Sequence, residues 1–139
     1  MCEPNPTMAQ RVARAARAFQ QQSTGHMPKS ANAVLNEDTL VVTLHGALTP
    51  AEKALAQSPA GAAQVREYHR QLFTDACAPL RQEIKKITGV EVREATAEIE
   101  MRNGSVVQVL TTGTMVQVFL LAQRVPADAW SGKGQGDAS

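Results

Sequence analysis

Three histidines, two cysteines and thirteen carboxylates are among the residues of this 139-residue chain able to transfer protons, attack as nucleophiles or bind metal. A metal centre needs three or four such ligands held close together. His26, His45 and His69 stand far apart, and neither a His-x-His nor a Cys-x-x-Cys pair occurs. Glu67 and His69 are two apart, so on a helix they face different sides. His45 is expected on a strand and His69 on a helix flank, and neither a metal nor a cofactor is expected. Cys77 as a nucleophile needs a neighbouring base and access. It follows Phe73 by four residues on an apolar stripe, the setting of a packed core thiol. Glu94, Glu98 and Glu100 read as charge on the solvent face of a strand, not as an acid–base pair. The chain is therefore expected to be no enzyme.

The pattern that points to binding is cationic. Thr24-Gly25-His26-Met27-Pro28-Lys29 follows a helical stretch bearing Arg11, Arg14 and Arg17. His26, Lys29 and the arginines Arg11 and Arg14 have the donors to gather around an anion such as phosphate, a nucleotide or bicarbonate. The competing reading is a solvated loop beside a solvated helix face.

The elements that must position these residues can be read from capping and periodicity. Met1 to Pro6 reads as a disordered tail. Thr7 caps a first helix to about Gln22, with Val12, Ala15, Ala16 and Phe19 as its apolar stripe. Ala31–Leu35 and Leu40–Leu44 form a hairpin around Asn36-Glu37-Asp38. Thr49-Pro50-Ala51-Glu52 is a capping box with proline at the first helical position, opening a short helix. Ser58-Pro59 repeats the cap and opens a long helix to about Thr88, closed by Gly89. Phe73, Cys77, Leu80, Ile84 and Ile87 trace its buried face, and Val65, Leu72 and Ala76 widen it. Pro79 inside it predicts a kink or break near Cys77. From Val90 the chain turns to strands, with a parity change that predicts a bulge or bend near Glu94. Asn103-Gly104 predicts a hairpin turn before a strand Val106–Leu110, and a last strand covers Met115–Ala122. Residues 125–139 read as a flexible tail, which leaves one domain over residues 8–124. The fold class is α+β: an antiparallel sheet, built from the early hairpin and the late strands, with the long helix on one face and an N-terminal helix beside it.

Composition narrows the function classes. Fourteen Lys and Arg against thirteen Asp and Glu give a formal charge of +1, unlike the basic excess of a nucleic-acid binder. Five Phe, Trp and Tyr residues are too few for a base-stacking platform. The longest apolar run, Met115 to Ala122, has strand length, so no direct membrane insertion is expected. MAQRVARAARAF is Arg-rich and unlike a secretory core, and two unpaired-looking thiols, Cys2 and Cys77, fit a reducing cytoplasm. Leftover apolar surface on so small a chain predicts a homodimer.

Several motifs together resemble the MpsC-like family of small bacterial proteins. The resemblance spans about Met8 to Leu121. Its most specific piece is Leu44-His45-Gly46-Ala47-Leu48-Thr49-Pro50-Ala51-Glu52, a Leu-x-Gly-x-Leu-Thr-Pro-x-Glu pattern. Arg70 and Pro79 on the long helix, and Thr88-Gly89-Val90 after it, fit the same pattern. The family's Thr-Gly-basic-Gly-Pro loop is altered, with His26 at the basic position and Met27 at the second glycine. The resemblance implies a soluble accessory or regulatory protein of a membrane ion or inorganic-carbon transport system, with a membrane transporter subunit as partner. It also adds Arg70 to the candidate anion ligands. The alternative is a small anion- or nucleotide-binding sensor using the Gly25–Lys29 loop.

Overall fold

The computed structural model describes residues 6–99 and 113–131. Helix α1 spans Met8–Thr24, strands β1 and β2 span Ser30–Asn36 and Thr39–His45, and helices α2 and α3 span Pro50–Leu55 and Pro59–Thr88. Strands β3 (Val92–Ile99) and β4 (Met115–Leu121) follow, then a short helix α4 (Ala127–Ser131). The strands form one antiparallel sheet in the order β1-β2-β4-β3. The chain thus leaves β2, crosses the sheet through α2 and α3, and returns on the far edge before β4 fills the gap.

Local chemistry accounts for the element ends. Thr7 and Gln10 exchange hydrogen bonds in a capping box at the start of α1. Gly25 and Gly89 close α1 and α3 at φ of 79° and 78°, the left-handed region open to glycine without strain. The hairpin turns through Glu37, whose φ of 59° is unusual for a residue with a side chain. The register slips between Val92 and Glu94, which leaves Arg93 as the extra residue of the expected bulge.

Alternation on the strands builds the core. Leu40, Val42 and Leu44 of β2 and Met115, Gln117, Phe119 and Leu121 of β4 point to the helix-covered face and are buried. Val65, Phe73, Leu80, Ile84 and Ile87 of α3 close over them, and Val12 and Ala16 of α1 complete the layer. The Phe73 and Phe119 rings tilt against each other at 6.0 Å. The opposite sheet face carries Val34, Val41, Val116, Val118 and Leu120 at its centre, none of them fully buried.

The structure departs from the sequence expectations in three places. Of the kink or break expected from Pro79, the break does not occur: helix α3 passes through it as one helix. Pro79 and Asp75 are both exposed, so the Asp75 carbonyl that loses its partner can be hydrated. Second, the expected tail from residue 125 is ordered as far as Ser131: Val125 and Trp130 are buried and α4 packs beside α1. Third, His69 is no flank residue but is 1% exposed in the core. The expected Asn103-Gly104 turn, the strand Val106–Leu110, Glu100 and Cys2 lie outside the described residues.

Candidate functional site

The cationic loop forms, with its polar groups turned inward. The Arg17 guanidinium donates to the Pro28 carbonyl at 2.7 Å and to the Lys29 carbonyl at 3.1 Å. The His26 ring Nε2 lies 3.0 Å from the Gly46 carbonyl, so it carries the proton and donates. Thr24 holds the turn by accepting from the His26 amide. The Lys29 stem packs over Gly46, where a Cβ would stand 2.8 Å from the Lys29 Cγ. That close approach, with a φ of +66°, explains the glycine. Arg11 and Arg14 are exposed on α1. Arg70 is elsewhere: it pairs with Glu67 at 3.0 Å and Glu98 at 3.4 Å, beside the β3 edge, whereas the loop feeds β1 at the opposite edge. The five candidate anion ligands therefore do not converge on one point.

A second polar cluster is built where the capping box of α2 meets α3. Glu52 Oε1 accepts from the Thr49 amide at 2.9 Å and from the Thr49 hydroxyl at 3.1 Å. The same hydroxyl accepts from the Glu52 amide. Glu52 Oε2 lies 2.8 Å from His69 Nε2, and His69 Nδ1 lies 3.4 Å from the Gln20 amide nitrogen. A carboxylate accepts, so His69 Nε2–H donates to Glu52, and the Gln20 amide stands against Nδ1 on the other side of the ring. Burial pushes the Glu52 pKa up, but the Thr49 amide and His69 outweigh it and hold the carboxyl below its ordinary value. One side chain each from α1, α2 and α3 is thereby tied together inside the helix layer.

An acid next to an imidazole is the beginning of a catalytic relay, but this one has no free end. Both ring nitrogens are engaged, and a general base needs one of them within reach of substrate. The cluster acts as a clamp. The turn between α2 and α3 is tight as well: a Cβ at Gly61 would lie 1.8 Å from the Leu55 carbonyl oxygen. Sequence reasoning saw Glu52 only as a cap. The signal it missed is the Val65-His69-Phe73 spacing of four, which places His69 on the buried stripe of α3.

The remaining candidates have structural settings. Cys77 is half-buried against the core, and burial raises its pKa against the pull of Arg81, which disfavours the thiolate. Glu94 and Glu98 are exposed on β3. Among the described residues no group of three or more His, Cys, Asp or Glu side chains is placed to hold a metal ion. Among them, too, no helix is long and apolar enough to cross a membrane.

Comparison with known proteins gives one result. The family described as Na+-translocating membrane potential-generating system (MpsC) matches residues 5–122. No curated protein and no solved structure matches the chain.

Proposed function

The chain belongs to the MpsC family, and from that membership we propose that it is a non-enzymatic accessory or regulatory subunit acting with a Na+-translocating membrane system. The family match across residues 5–122 carries the reading. The folded chain is compatible with it: the acid–imidazole pair is closed off as a clamp. In this reading the protein works from the cytoplasmic side through a transporter subunit and does not itself enter the bilayer. The sensor alternative gains no support, since Arg17 and His26 are engaged with backbone carbonyls of their own fold.

The test is a measurement of membrane potential. Cells depleted of the protein, loaded with a voltage-sensitive dye and stepped from low to high Na+, should lose part of the Na+-dependent potential. Expression of the intact chain should restore it. A Na+-dependent potential that is unchanged by depletion overturns the proposal, as does a fully active system reconstituted without the chain.

A further inference from the structure

The two edges of the sheet are treated differently by the sequence. Strand β3 is guarded in the ways exposed edges usually are. It carries Arg93, Glu94 and Glu98, it is bulged at Arg93, and the Arg81 guanidinium donates to the Val92 and Arg93 carbonyls, both at 2.8 Å. Within its own seven residues strand β1 has none of these devices; the Arg17 guanidinium holds only the Pro28 and Lys29 carbonyls that precede it. Its seven residues, Ser-Ala-Asn-Ala-Val-Leu-Asn, contain no charge, no proline and no bulge, and they pair with β2 in unbroken register. Among the described residues no strand pairs with its outer side. Its helix-facing side chains, Ala31, Ala33 and Leu35, are only half-buried, while Leu40, Val42 and Leu44 on the same face of β2 are fully buried. Val34, on the other face, is 59% exposed.

We propose that β1 is the site at which a second copy of this chain adds to the sheet, β1 against β1 and antiparallel, to make one continuous eight-stranded sheet across a two-fold axis. This goes beyond the membrane-system reading and does not depend on it. Self-pairing is favoured over a foreign strand because an uncharged strand meets its own copy without like-charge repulsion, and because symmetric association is the commonest route to burying such an edge. Parity then fixes the register. A two-fold normal to the sheet keeps both helix layers on one side, so a helix-facing residue must oppose a helix-facing residue. Pairing Ala33 with the partner's Ala33 uses all seven residues of the strand. It sets Asn32 opposite the partner's Val34, Ala31 opposite the partner's Leu35 and Ser30 opposite the partner's Asn36. Small alanines sit at the axis, and the half-buried apolar side chains of both copies join one core.

The register makes the test specific. Sedimentation velocity and light scattering on the full chain should report about twice the mass of one chain. The double variant Asn32→Lys with Val34→Lys places lysine opposite lysine at both symmetry-related pairs and should weaken the dimer about tenfold or more. The double variant Asn32→Glu with Val34→Lys places glutamate opposite lysine instead and should restore it. Asn32 and Val34 are exposed, so both variants should keep the circular dichroism and melting temperature of a folded domain. Thr96→Lys, exposed on the open face of β3 at the other edge of the sheet, should leave the dimer intact. A wild-type chain that stays monomeric at the highest attainable concentration overturns the proposal. So does a dimer that ignores both double variants, or one that Thr96→Lys dissociates, since the copies would then meet elsewhere.

Discussion

Replacing Glu52 by alanine should destabilise the domain through two separable losses. The first is the capping box: the Thr49 amide loses its acceptor, which for a surface helix cap costs about 1 kcal/mol. The second is internal. His69 is 1% exposed, and without Glu52 its Nε2–H has no partner among the described residues, a buried orphan donor worth about 1–3 kcal/mol. Together they come to about 2–4 kcal/mol, or roughly 6–15 °C in melting temperature for a domain of this size. Urea unfolding of four proteins, wild type, Glu52→Ala, His69→Leu and the double variant, separates the terms. In the His69→Leu background the orphan donor no longer exists, so Glu52→Ala should cost only the cap, about 1 kcal/mol. The pH dependence is signed. The Glu52 pKa is lowered on folding, so its contribution is whole above its ordinary value of 4.5 and disappears as pH falls through the folded value below that. The gap between wild type and Glu52→Ala should therefore narrow in acid. An equal cost of Glu52→Ala in both backgrounds, or a gap that widens in acid, refutes the clamp.

Three further substitutions test the packing. Gly61→Ala should destabilise by more than about 2 kcal/mol, although alanine ordinarily favours a helix by about 1 kcal/mol, because the new Cβ meets the Leu55 carbonyl at 1.8 Å; thermal melts read the sign. Pro79→Ala should stabilise by about 1–3 kcal/mol, since it restores a backbone donor to an unbroken helix at an exposed position, and chemical denaturation should show it. Gln117→Leu should stabilise by about 1 kcal/mol, because the Gln117 amide oxygen is buried on the apolar face of β4 without a hydrogen-bond partner among the described residues; a lower urea midpoint would contradict this.

What the sequence made legible was chemistry that acts within a few residues. Thr49-Pro50-Ala51-Glu52, Ser58-Pro59 and the glycines after α1 and α3 mark element ends because a cap needs its partner three residues away or a left-handed residue next in line. The parity change at Glu94 likewise announced its bulge. What stayed hidden depends on distant partners. His69 meets Glu52 and Gln20 across 17 and 49 residues, so polarity alone sent it to the surface. Arg17 and His26 looked available because their acceptors are backbone carbonyls, including that of Gly46, and a carbonyl has no signature in sequence. Trp130 was lost to its neighbours: the glycine-rich residues beyond it set the composition, and one buried aromatic outweighs them.

The Leu44-to-Glu52 run, where the family resemblance is most specific, can be accounted for almost residue by residue without a ligand. Leu44 is in the core of β2, and Gly46 turns at positive φ under the Lys29 stem. The Ala47 amide donates to the Gly113 carbonyl at 2.9 Å, joining this corner to the entry of β4. Leu48 is buried beside Gly113, and Thr49, Pro50 and Glu52 start α2 and bind it to α3. A run whose members all hold a corner together marks where the fold is fixed rather than where a partner is met. Lesions in it should therefore lower stability and activity in step. Lesions at Asn32 and Val34, which are exposed, should alter assembly while leaving the melting temperature close to that of the wild-type chain diluted until it is monomeric. If the two sets behave alike, the division between a corner that builds the domain and an edge that joins it to a second copy does not hold.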